Sequence, residues 1–531
     1  MGILINRLKN WVLKPFSDHI GIMAIWFLLM VGPDSYYFVQ KGTYEALPFF
    51  LSRSYLASYL LTLVYSYLKY KTLKYSYLTI VSFAITIFFI IDIFCILKLH
   101  DRYSYDMAAI VVGTNLNETV EFLYTYISFD LILLLTLTVM LAFILYFILR
   151  RFHLGRHFQI VGIVLLITSI YFHVTNDYML NGIYSKYYSF YEIPRPPDLR
   201  AYECDPHIIV DPTQLPKNII ILIGESFSKS HSSLYDYDKD TNPKLAYLEK
   251  DSSLIVFKNV TSPATHTLEA FHYILNTYQV DSENKTSFEE SVTLPNVARC
   301  SGYKTFWISN QSKHGQNDNL VGSFADLCDE EFFVDNKFTG LNRWSKDESL
   351  FAPLKNIAVR DNSVRKFVFV HLMGSHLSFK ARYPQKFAYF DEGDYLFLPE
   401  HQRRIMAEYD NSILYNDYVV DSIIHTFMAE ESVVLYFSDH ALDIYESSSD
   451  WCGHARTNDL ISYNIGRQIP FFIFTSKRYM QRFPIKVEQM RNCSERPFCT
   501  DKLIFAVMDI MGISFCGNND VSKFSLFANL N

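Results

Sequence analysis

Five apolar stretches, each near twenty residues, crowd the first third of the chain, at 19–40, 48–69, 76–98, 128–149 and 157–176. A helix rises ~1.5 Å per residue, so each can cross the ~30 Å hydrocarbon core of a bilayer. Inside lipid the backbone must satisfy its own hydrogen bonds, which restricts such runs to helices. Basic residues set the orientation. Arg7, Lys9 and Lys14 precede the first run, Lys69, Lys71 and Lys74 separate the second from the third, and Arg150, Arg151 and Arg156 separate the fourth from the fifth. These loops mark the cytoplasmic side, and five crossings place everything after 176 outside. The first run reads as a span rather than a cleaved signal, because further spans follow and no small-residue cleavage site is evident.

The loop from about 99 to 127 is then external. Within it Thr114 and Glu118 stand four residues apart, on one face if the stretch is helical. Asp92 lies in the third run, and an acid there is either a functional or paired group or an interfacial one. Residues 177–215 are rich in tyrosine and break at Ile193-Pro-Arg-Pro-Pro-Asp198, as a bridge along the membrane surface would. From 216 to 531 strand-like and helix-like runs alternate, the pattern of a layered α/β domain. The expected architecture is thus an α-helical transmembrane domain of five helices over 1–176, a linker over 177–215, and an external α/β domain with a mostly parallel central sheet. A net charge of −7 and the lack of a basic stripe argue against nucleic acid.

The α/β part is organised around Asn218-Ile-Ile-Ile-Leu-Ile-Gly-Glu-Ser226. An uninterrupted apolar run suits a strand covered on both faces of a parallel sheet. Ligands of such sheets bind off the carboxyl ends of the strands, where Glu225 stands. Four later runs repeat the design and end in Asn310-Gln311, in His371-Leu-Met-Gly-Ser-His376, in Asp439-His440, and in Thr475-Ser476. If all are parallel neighbours, Glu225, His376, Asp439 and His440 converge on one edge. Two carboxylates and an imidazole suit zinc or manganese better than calcium. Thr265 and Thr267 precede a helical apolar pattern; either is an N-cap or a metal-activated nucleophile. Among eight cysteines, Cys493 and Cys499 bracket one short loop and Cys300 and Cys328 flank another, so local disulfides are expected in an external domain.

The run Gly224-Glu-Ser-Phe-Ser-Lys-Ser-His-Ser-Ser-Leu-Tyr-Asp-Tyr-Asp-Lys-Asp-Thr-Asn-Pro243 resembles the signature of bacterial membrane phosphoethanolamine transferases, members of the alkaline phosphatase/sulfatase superfamily. Asn310-Gln-Ser312, His371-Leu-Met-Gly-Ser-His376 and Ser438-Asp-His440 match in the same order, as do the spans and the external domain. The resemblance implies a sulfatase-like catalytic domain in the periplasm, anchored in the inner membrane. It places metal ligands on Glu225, Asp439, His440 and the nucleophile. Thr-His-Thr-Leu-Glu-Ala puts that nucleophile on Thr267, with Thr265 as the rival. It gives His376 and His454 roles at a second metal or the substrate phosphate, adds His371, and links Thr114 and Glu118 to the donor headgroup. The implied cofactor is zinc, with manganese as the alternative. The implied donor is phosphatidylethanolamine, and the acceptor a lipopolysaccharide or other envelope glycan. Ile110 and the absence of paired cysteines in the nucleophile loop depart from the lipid A-modifying branch, leaving lipid A, core sugar and glucan open as acceptors. Two other readings stand beside this one: a phosphoglycerol transferase or sulfatase-like hydrolase, and a membrane scaffold with an inactive external domain.

Overall fold

The computed structural model describes residues 11–41, 44, 47–98, 129–149, 156–175, 208–278, 291–311, 313, 320–334, 345–360, 363–448, 451–455, 459–515 and 524–528. They form two compact units, one helical and one α/β. Thr114 and Glu118 lie outside the described residues.

Helices α1 (Ile20–Lys41), α2 (Leu47–Tyr67), α3 (Lys71–Lys98), α4 (Phe129–Leu149) and α5 (Arg156–Thr175) fall on the five apolar stretches. Those at Ile20–Gln40, Leu47–Tyr67 and Lys71–Leu97 are long and apolar enough to cross a membrane. α3 starts five residues earlier than its apolar run, and in this added turn Lys74 folds its ammonium over the Tyr65 ring at 4.4 Å. The side-chain distribution is that of a protein solvated by lipid. On α2 the stripe Ser54, Ser58, Thr62 and Ser66 is buried, while Leu60 and Val64 face outward. Small residues let helix backbones approach closely, and Thr62 and Ser66 return their hydroxyl protons to carbonyls one turn back, at 2.7 Å each. Arg53 on α2 donates to the buried Asp34 of α1 at 3.1 Å.

The α/β unit is built on a seven-stranded sheet: β1 (Asn218–Gly224), β2 (Leu254–Phe257), β3 (Lys304–Ser309), β4 (Glu330–Phe333), β5 (Lys366–His371), β6 (Ser432–Ser438) and β7 (Phe471–Thr475). Its spatial order is β2-β7-β6-β1-β5-β3-β4. β1 is central and pairs in parallel with β5 and β6. Its alternate residues serve two cores. Ile219, Ile221 and Ile223 pack on one face with α6 (Thr267–Ile274) and the helix at Leu503–Met511. Ile220 and Leu222 pack on the other with α7 (Glu400–Phe427). The continuous apolar run follows from this two-sided cover. Each fully buried isoleucine contributes ~1.5–3 kcal/mol.

Two expectations are corrected. β7 runs antiparallel to both β6 and β2, with Thr475 paired to Val433 at the start of β6, so Thr475 and Ser476 lie at the edge opposite Glu225. There Ser476 accepts from the Ser432 and Tyr479 amides and caps the helix at Lys477–Arg482. Within the stretch read as a linker, Ile208–Val210 pairs antiparallel with Ile513–Phe515. Neither expected local disulfide forms: Cys328, Cys493 and Cys499 are free thiols, while Cys300 is disulfide-bonded.

Candidate metal centre and active site

β1 and β6 end side by side, with Gly224 paired to Ser438. Gly224 is required by the floor beneath it. A methyl group there would lie 2.2 Å from the Tyr436 hydroxyl, which is buried and accepts from Asn416 Nδ2 at 2.7 Å. The chain then turns sharply: Ser226 sits at φ +59°. Its hydroxyl donates to Glu225 Oε1 at 2.7 Å, and Tyr409 holds its carbonyl at 2.8 Å. This turn aims Glu225 along the sheet edge toward the end of β6.

Glu225, Asp439 and His440 come together there, all buried, with one ligand atom from each lying within 4.8 Å of the others. His440 Nε2 stands 3.1 Å from Glu225 Oε1 and 3.7 Å from Asp439 Oδ2. His440 Nδ1 lies 3.0 Å from the Ala441 carbonyl, a partner that fixes the proton on Nδ1 and leaves Nε2 as the inward donor atom. Asp439 Oδ1 accepts from the His440 amide at 2.7 Å and the Ser226 amide at 3.3 Å, while Oδ2 has no hydrogen-bond partner among the described residues. Adjacent Asp439 and His440 both reach the centre because the strand ends at Ser438 and the chain bends.

The charges are strongly coupled. Burial alone would neutralise Glu225, but the His440 imidazolium and hydrogen bonds hold its carboxyl well below the usual range. Burial and the Glu225 charge push the Asp439 carboxyl up to about 8. Burial opposes protonation of His440, yet the two carboxylates push it up to about 9. Three buried groups whose charges are tolerated only because they offset one another are a donor set for a divalent cation, and two oxygens with one imidazole suit zinc.

The two threonines separate. Thr267 opens α6, with its hydroxyl 3.1 Å from Glu225 Oε2 and 3.3 Å from His440 Nε2. Thr265 points away, 3.0 Å from His266 Nδ1. His454 reaches the same centre, its ring 4.9 Å from His440 and stacked on His266 at 4.6 Å. Burial, with the neighbouring histidines, drives His454 well below its usual pKa, and burial takes His266 to about 4. His376 follows the turn after β5, close enough to Glu225 to favour its ionised form. His371 does not reach the surface of the site. It ends β5 fully buried, between Phe271 and Trp307, with neither ring nitrogen hydrogen-bonded among the described residues.

The sequence reading missed two kinds of support. Gln311 donates to Glu225 Oε2 at 3.2 Å and to the Leu372 carbonyl at 3.0 Å. It stood in plain view as a strand-end amide beside Asn310. His266 also escaped, since a histidine between two threonines carries no pattern of its own.

A mostly parallel sheet that delivers a carboxylate, a carboxylate–imidazole pair and a helix-borne hydroxyl to one edge is the alkaline-phosphatase-like architecture. The chain belongs to the sulfatase family, whose model matches residues 217–513. It is 29% identical over 309 residues to the phosphoethanolamine transferase EptC of Escherichia coli strain K12, covering 57% of this chain and 52% of that protein. To the phosphoethanolamine transferase EptA of Helicobacter pylori it is 27% identical, over 50% of this chain and 49% of that one. The chain thus spans about half the length of the curated relatives it matches. The crystal structure of the C-terminal periplasmic domain of E. coli EptC in complex with zinc superposes with a TM-score of 0.54 at 27% identity, covering 61% of this chain and 89% of that one. The integral membrane protein EptA of Neisseria meningitidis superposes over 98% of both chains with a TM-score of 0.66 at 16% identity, so apolar helices followed by this α/β domain are a shared fold.

Proposed function

We propose that the protein transfers phosphoethanolamine from phosphatidylethanolamine to a lipopolysaccharide or other envelope glycan. It would do so from the inner membrane, with five spans over 1–176 and the α/β domain in the periplasm. The observation that carries this is the Thr267 hydroxyl, held at the N-terminus of α6 within 3.3 Å of both Glu225 and His440. The phosphoethanolamine transferases it resembles, and the zinc complex of one of their domains, support donor and metal. Glu225, Asp439, His440 and Thr267 would hold zinc; the same oxygen and imidazole donors also suit manganese. Bound there, the ion lowers the pKa of the threonine hydroxyl and offsets charge on phosphoryl oxygens.

The residues then divide the work. Thr267 Oγ, its proton given up to water, attacks the phosphorus of the donor from its place beside Glu225 Oε2. The bond from phosphorus to the diacylglycerol oxygen breaks, and that oxygen takes a proton from His376. An acceptor hydroxyl then attacks the phosphorus of the phosphoethanolamine-threonine, its proton returning to His376, and the bond from phosphorus to Thr267 Oγ breaks. The helix N-terminus favours negative charge at this point. Thr114 and Glu118 are proposed at the donor headgroup, and His371 beneath the site as a support of β5.

The test is a donor labelled in its headgroup, incubated with the full chain in detergent and with lipid A, core oligosaccharide and glucan in turn. Mass spectrometry should find phosphoethanolamine on one acceptor. Release of free phosphoethanolamine alone, or transfer of phosphoglycerol from phosphatidylglycerol, would overturn the reading.

A further inference from the structure

The loop that carries His376 is gripped through its backbone by two buried charges of opposite sign. Asp347 and Arg382 are each 4% exposed. Asp347 Oδ1 accepts from the Met373 amide at 2.9 Å, and Oδ2 accepts from the Gly374 amide at 3.0 Å. Asn310 Nδ2 also donates to Oδ1, at 2.8 Å. From the other side Arg382 donates to the carbonyls of His376 at 3.2 Å and Leu377 at 2.9 Å. The amides of the loop thus meet a carboxylate and its carbonyls meet a guanidinium, the pairing that makes charge-assisted hydrogen bonds strong.

What the grip holds in place is the metal ligand. Gly374 sits at φ +50°, so close to Glu225 that a methyl group on it would lie 2.7 Å from the Glu225 carbonyl oxygen and 2.8 Å from its nitrogen. The next residue, Ser375, donates its amide to that same carbonyl at 2.9 Å. The loop is therefore the wall against which Glu225 is set, and Asp347 sits behind the wall.

We propose that Asp347 and Arg382 are positioning residues for the centre: by clamping the 373–377 backbone they fix Glu225 for metal binding and His376 for proton transfer. The proposal rests on the zinc-site reading above. It assigns no contact with substrate to either residue. A clamp of this kind matters because a ligand displaced by a fraction of an ångström loses both affinity and alignment.

Asp347→Asn separates the clamp from simple packing. Its amide keeps the acceptor for Asn310 and Met373 but sets a donor against the Gly374 amide, losing one bond at almost constant volume. Zinc dissociation constants are measured by chelator competition on the full chain, alongside kcat and KM for the lipid donor and the melting temperature of the zinc-free protein. The expected result is a zinc constant raised at least tenfold and a kcat lowered at least tenfold, with a melting temperature within a few degrees of the parent. Parental zinc affinity and kcat in Asp347→Asn would overturn the proposal. If Asp347→Asn does not fold, Arg382→Met is measured in the same way; parental values there, or a second failure to fold, count against positioning as the role. Because zinc affinity is read independently of turnover, a parent that binds zinc but transfers no phosphoethanolamine defeats the proposed function and leaves this inference standing.

Discussion

Zinc binding should depend steeply on pH, and the size of the effect follows from the protons held at the centre. Without metal at pH 7, Glu225 is ionised, Asp439 is protonated with its carboxyl pushed up to about 8, and His440 is an imidazolium pushed up to about 9. A metal takes all three in their deprotonated forms, so two protons must leave. His266, at about 4, and His454, held well below its usual value, carry no proton to lose. Raised groups bind the competing proton at low pH, so affinity falls as pH falls. Each displaced proton contributes about 1.4 kcal/mol per pH unit. Two give about 2.7 kcal/mol, close to a hundredfold in dissociation constant per unit, between pH 6 and 7. The slope should halve as pH passes about 8 and vanish above about 9. Chelator competition at pH 6, 7, 8 and 9 measures the slope, and calorimetry in buffers of different ionisation heat counts the protons. A slope under half a decade per unit, or release of less than one proton at pH 7, would refute the coupled-proton account.

Three further outcomes are expected. Incubated with phosphatidylethanolamine and no acceptor, the protein should gain a phosphoethanolamine adduct on Thr267 by intact mass; Thr267→Ala should lose the adduct and keep zinc through Glu225, Asp439 and His440, while Thr265→Ala retains transfer. Mapping of the adduct to Thr265 would contradict the geometry. Gly224→Ala should lose ~1–3 kcal/mol or more in denaturant titration, because its methyl group must displace the buried Tyr436 hydroxyl lying 2.2 Å away. An unchanged midpoint would show that the floor yields. A reporter active only outside the cytoplasm, fused after Asn531, should be active; one active only inside would reverse the topology.

The composition of each segment determined a good part of this protein. Runs of twenty apolar residues can satisfy their backbone in lipid only as helices, so the positions of α1 to α5 were legible without coordinates. A run such as Ile219–Ile223 needs cover on both faces, which made β1 a central strand and put Glu225 at its carboxyl end. Strand direction was not legible. Periodicity is the same whichever way a strand runs, and only pairing showed that β7 is antiparallel and takes Thr475 and Ser476 away from the site. Disulfides were misread for a similar reason: spacing along the chain does not set the distance between thiols. Spacing alone left Thr265 and Thr267 equal, since both precede the same helix, and only the family resemblance favoured Thr267; the bend into α6 puts the Thr267 hydroxyl beside Glu225 and the Thr265 hydroxyl beside His266. Asp347 and Arg382 left no trace in the sequence at all. Their role comes from backbone groups of a loop 26 and more positions away from Asp347, and a contact of that kind exists only once the chain has folded.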